Sequence, residues 1–117
     1  MQDLRSHIET FQRELAHIRR LIAQADWESR PTLCYRLRAA LRRALGPFEG
    51  VADIERRASA IVRAAGYFAN SIRPNHTPNS VELTARIDEL EMSVLAAIGP
   101  RALDARTSRA GSRDKAA

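Results

Sequence analysis

The chain has 117 residues, 44% of them hydrophobic and only 5% aromatic, with a formal net charge of +5. That length holds one hydrophobic core but not two, and the hydrophobic share excludes a wholly disordered chain. A single cysteine, Cys34, excludes an intramolecular disulfide, and no apolar run approaches the ~18 residues of a membrane-spanning helix.

The opening Met1-Gln-Asp-Leu-Arg has no apolar run behind a basic start, so no secretory leader is expected and the chain reads as soluble and cytoplasmic. Alanine is abundant and β-branched or aromatic runs are scarce, which favours helices over strands. The first predicted helix runs from about Asp3 to Ala25. Leu4, Ile8, Phe11, Leu15, Ile18 and Ile22 recur at steps of four and three and form one stripe. Asp26 to Pro31 breaks the pattern, with Ser29 a candidate N-cap and Pro31 suited to a first helical turn.

The second predicted helix, Thr32 to Leu45, carries Leu33, Leu37, Ala40, Leu41 and Ala44 on one face and stops at Gly46-Pro47. The third, about Val51 to Ile72, repeats Val51, Ile54, Ala58, Ile61, Ala65, Phe68 and Ile72, and Pro74 ends it. Within it, Ile61 to Ile72 has a passing likeness to a helix-turn-helix, with small residues before Gly66. Phe68 stands where a polar cap belongs and Pro74 leaves too short a recognition helix, so one continuous helix is expected. The fourth begins at a capping box of Asn79 and Glu82, carries Leu83, Ile87, Leu90, Val94 and Ile98, and stops at Gly99-Pro100.

These segments predict an all-α fold, a four-helix antiparallel bundle over residues 1–100 with a short second helix. Residues 101–117 lose periodicity and read as a basic, flexible tail. The second helix is too short to cover the stripes of its longer neighbours. The Trp27 and Phe48 loops, Leu103 of the tail or another chain should cover the remainder, and self-association is one expected outcome.

Charge is unevenly spread. Residues 1–29 hold four arginines against five acids (net −1), and 30–73 hold nine arginines against three acids (net +6). Residues 74–100 hold one arginine against four acids (net −3), and the tail holds five basic residues against two acids (net +3). The middle of the chain is therefore the electropositive part, suited to an acidic protein or a nucleic acid.

On the second helix Tyr35, Arg38 and Arg42 fall opposite the apolar stripe, and Arg36 and Arg43 flank it. Guanidinium groups beside a planar ring hold phosphates, stack on bases or grip carboxylates; arginine stems also simply shield the edge of a core. Arg56, Arg57 and Arg63 on the third helix join this candidate binding set, whose merging depends on which faces stay exposed.

Catalytic and metal chemistry find little support. His7, His17 and His76 lack a ligand spacing, and Asp88, Glu89 and Glu91 read as solvated charge that is also able to dock on a basic helix. His76 in the Pro74–Pro78 loop reads as plain loop, and Cys34 as packing at the edge of the second helix's apolar face. No cofactor, metal or small-molecule substrate is expected. The sequence points to a non-enzymatic interaction module, self-associating and engaging an acidic partner through a basic face, with direct DNA or RNA binding as the rival. Small accessory or inhibitor proteins of bacterial or phage type share this size, an analogy of scale alone.

Overall fold

Side chains three and four apart fall on one side of a helix, and here those sides meet to form a single interior. The computed structural model describes residues 4–76 and 78–99. Four α-helices follow in order: α1 (Leu4–Ala23), α2 (Arg30–Leu45), α3 (Ala52–Ser71) and α4 (Val81–Ile98). No strand occurs among the described residues. The side chain of Leu4 and the expected basic tail lie outside the described residues.

The core is built from the expected stripes. Phe11 and Ile18 of α1, Leu37 of α2, Ile61 of α3, and Ile87 and Leu90 of α4 are wholly inaccessible to solvent. Among the described residues no polar or charged side chain is buried, so apolar burial dominates the interior at about 1.5–3 kcal/mol per large aliphatic side chain. Two stripe positions differ from expectation. Val51 is exposed because it stands ahead of α3 with extended backbone, and Ala58 is only half-buried at the α2 side of α3.

Cross-helix contacts fix an antiparallel order. Phe11 meets Phe48 and Glu14 meets Arg43, so α1 and α2 run oppositely. Arg30 reaches Ala69 and Asn70, while Leu45 lines a groove with Ile54. Arg57 meets Glu89 across α3 and α4. Consecutive helices pack most closely, and Arg19 of α1 reaches α4 at Asp88 and Glu91 (2.7 and 3.2 Å).

The second helix is the shortest of the four, and a 3-10 turn at Gly46–Phe48 makes up the difference. With the steeper 3-10 rise, α2 and this turn together span about 30 Å, matching α1 and α3. Phe48 thereby reaches the end of the core and packs edge-on against Phe11, ring centroids 6.5 Å apart. The long stripes are thus closed within one chain. Trp27 stays partly exposed, stacked at 5.2 Å under the Arg30 guanidinium.

The loops hold their own signals. Before α2 the Asp26 carboxylate accepts the Ser29 backbone N–H (2.8 Å), and the Ser29 hydroxyl accepts the Asp26 N–H (2.9 Å). That is a reciprocal capping box built on Asp26, so Ser29 serves as its far member rather than as a side-chain cap. The Ser29 hydrogen bonds hold the Asp26 carboxyl below its ordinary 3.8. Ahead of α4, Ser80 takes the cap position. Asn79 Oδ1 accepts the Val81 N–H at 2.9 Å, and Glu82 pairs with Arg86 instead of closing a box.

Two glycines make opposite demands. Gly50 has φ +88°, where a side chain is strained, whereas a Cβ on Gly66 inside α3 meets nothing within 4 Å. Gly66→Ala is therefore expected to stabilise the fold by roughly 0.5–1 kcal/mol, and Gly50→Ala to cost about 1 kcal/mol or more. Urea unfolding of the two variants checks the signs; a loss at Gly66 would mean that something approaches that face of α3.

Candidate functional site

An arginine on a helix surface has three fates: an ion pair with a neighbour, an anchor on backbone oxygens, or hydration alone. The arginines of this chain divide among all three. Arg43, flanking the α2 stripe, pairs with Glu14 of α1 at 3.1 Å. Arg56 pairs with Asp53 one turn away, and Arg57 bridges Asp53 (3.3 Å) and Glu89 of α4 (3.1 Å). Asp53 is held below its ordinary 3.8 first by the Arg56 hydrogen bond, then by Ser93 and Arg57. Arg30 donates to the Ala69 carbonyl (2.9 Å), at the end of α3 where the last carbonyls carry partial negative charge, and to the Asn70 side-chain Oδ1 (3.2 Å).

Arg36, Arg38, Arg42 and Arg63 differ. Each is exposed, and none makes an ion pair or side-chain hydrogen bond among the described residues; Arg20 of α1 shares that condition. Most of the acids that would neutralise them are engaged elsewhere: Glu14 with Arg43, Asp88 and Glu91 with Arg19, Glu89 with Arg57 and Arg86. Tyr35 lies beside Arg38 and Arg42 on the outward side of α2 and is 77% exposed.

Arg38 and Arg42 also stand over an open groove of about 740 Å³ between α2 and α3. Its apolar lining is Leu41, Leu45, Phe48, Ile54, Ala58 and Val62. Glu49 and Glu55 close the end near the 3-10 turn, and Glu55 is tied down by accepting the Gly50 N–H at 2.8 Å. Ser59, also lining the groove, lies one turn from Arg63 on α3.

The candidate set thus divides in two. Arg38 and Arg42 line the α2–α3 groove with Tyr35 beside them on α2, Arg63 stands one turn beyond Ser59 on α3, and Arg36 lies nearer α1. Arg56 and Arg57 turn towards α4 and line a separate cleft of about 250 Å³ with Ala60, Arg86 and Glu89. The groove and the division of the arginines escaped sequence reasoning because both depend on which helices are neighbours. The short Gly46–Gly50 link pairs α2 with α3, and matching positions whose numbers sum to about 100 would have placed Arg42 beside Ala58. A second surface was missed as well: Val81, Met92 and Leu95 stand exposed around Asp88 on the outward side of α4, Met92 being 71% exposed.

Among the described residues no group of three or more His, Cys, Asp or Glu is placed to hold a metal ion, and Cys34 packs half-buried against the core. No described helix is long and apolar enough to cross a membrane. Compared with known proteins, the chain matches no family model, no curated protein and no solved structure.

Proposed function

We propose that the chain is a non-enzymatic interaction module that binds an acidic protein surface through the α2–α3 face. One observation carries this reading: among the described residues the guanidiniums of Arg38, Arg42 and Arg63 are exposed and make no ion pair or side-chain hydrogen bond, while most of the described carboxylates are occupied. Guanidiniums stay charged at every working pH and bind carboxylates in a planar fork, but they neither attack a substrate nor shuttle protons. That chemistry suits recognition rather than catalysis.

Tyr35 favours a second reading, direct binding of DNA or RNA. An exposed ring beside Arg38 and Arg42 is the arrangement on which a single-stranded base stacks, worth about 1–3 kcal/mol per base. Titrating polyglutamate, single-stranded DNA and duplex DNA over a range of salt separates the two. A protein-binding face holds polyglutamate at least as well as DNA. A nucleic-acid face prefers DNA, with affinity falling in log–log slope by about 0.9 per duplex phosphate contacted, and Tyr35→Ala weakens single strands most.

In the same proposal the module self-associates through the outward side of α4, where the exposed Val81, Met92 and Leu95 would be covered by a second copy. Wild-type protein should then sediment above monomer mass at micromolar concentration, and Met92→Glu should return it to monomer. A wild-type monomer would rule out this contact without touching the basic face.

A further inference from the structure

We infer that the groove between α2 and α3 receives an acidic amphipathic helix of about three turns from a partner protein. This rests on the basic-face reading above and specifies its occupant. Two features of one place carry it: an apolar lining that includes half-buried Leu45, Ala58 and Val62, and a rim on α2 where Arg38 and Arg42 have no partner among the described residues, the Glu49 and Glu55 carboxylates lying at the 3-10 end. Carboxylates alone would satisfy the rim and leave the lining wet. An apolar segment alone would leave the charges unmet. A helix with one apolar stripe flanked by Glu or Asp meets both.

Other occupants fit less well. The groove is open along its length, whereas small ligands are usually held where most of their surface is enclosed. The described chain offers no strand edge for an added strand, and its groove has one buried phenylalanine where proline-rich segments need a row of exposed aromatics. From Arg38 to Phe48 the groove follows α2 for about 15 Å, the rise of roughly ten helical residues. A second copy's α4 is the nearest acidic helix, but Asp88, Glu89 and Glu91 already meet Arg19, Arg57 and Arg86. Charge complementarity therefore points away from a second copy's α4 and towards a partner protein.

The test uses the full chain and three labelled probes: a Leu/Ala/Glu peptide with leucines at steps of three and four, the same composition shuffled to destroy the stripe, and duplex DNA. The striped peptide is expected to bind about tenfold tighter than the shuffled one, an advantage of roughly one well-seated apolar contact. Ser59→Trp, which fills the groove from an exposed helical position, should erase that preference. Ser59→Glu, which sets a carboxylate beside the arginine rim, should weaken both peptides. Circular dichroism confirms that each variant is folded. Equal binding of the two peptides, with both still lost on Arg38/Arg42→Ala, would overturn the groove assignment and leave the basic face standing. Preference for DNA that Ser59→Trp does not disturb would overturn it in favour of a nucleic-acid surface. Failure of all three probes would overturn the underlying reading too.

Discussion

Phe11→Ala is expected to cost about 3–5 kcal/mol of folding stability, a large share of the total for a domain of this size. Phe11 has no exposed surface and meets the Phe48 ring at 74°, so truncation loses apolar burial, an aromatic edge contact and the packing at that end of the bundle. Phe48→Ala should cost less, because Phe48 retains some exposure at 9%. A double-mutant cycle read by urea denaturation should show the pair coupled by about 0.5–1.5 kcal/mol beyond the area each one buries. Independent effects would mean that Phe48 does not close the core, and the apolar stripe of α1 would again need a second chain.

The largest expected change in binding comes from Arg38/Arg42→Ala. Neither side chain has a partner among the described residues, so removing them should leave thermal stability nearly unchanged, as exposed positions usually do. Each truncated charge-assisted hydrogen bond should lower affinity for an acidic peptide by roughly tenfold at low salt, so the double variant should lose about 100-fold. Raising the salt should shrink the difference, because exposed charges are screened over a Debye length of about 10 Å at 0.1 M. Isothermal titration at two salt concentrations checks both points.

Acid supplies a further check on the loop and helix anchors. Asp26 and Asp53 are both held below their ordinary value, by Ser29 and by Arg56 respectively. A carboxylate depressed on folding contributes stability that is complete above its unfolded pKa and fades as pH falls through the folded one. Their contribution should thus be intact at neutral pH and be lost below about 3.8. Asp53→Asn should be less stable than wild type at pH 7, and the difference between the two melting curves should shrink as the pH falls below the ordinary carboxylate range.

Helix number, breaks and core were legible because each is a local signal. Periodic leucines and isoleucines, Gly46-Pro47 and Pro74 act within one turn of themselves. The start of α2 was harder. Asp26 and Ser29 cap it together, and their spacing of three is a capping box with serine in the place usually held by Glu or Gln. The site was half legible. Composition placed excess positive charge between Arg30 and Arg73, but could not tell Arg43, met by Glu14 of another helix, from Arg42, which meets no carboxylate among the described residues. That distinction is tertiary. It depends on a one-residue step around α2, about 100° of rotation, which turns one guanidinium to α1 and its neighbour to the groove.

That distinction also gives the most direct test of function. Arg38/Arg42→Ala and Arg5/Arg56→Ala each remove two positive charges, yet Arg5 and Arg56 are paired with Glu9 and Asp53 while Arg38 and Arg42 have no partner among the described residues. Binding of one labelled acidic peptide to the two variants, side by side with wild type, should fall about 100-fold for the first and change less than about threefold for the second. Equal losses in both variants would show that net charge alone drives association, and that the unpaired arginines over the α2–α3 groove form no site.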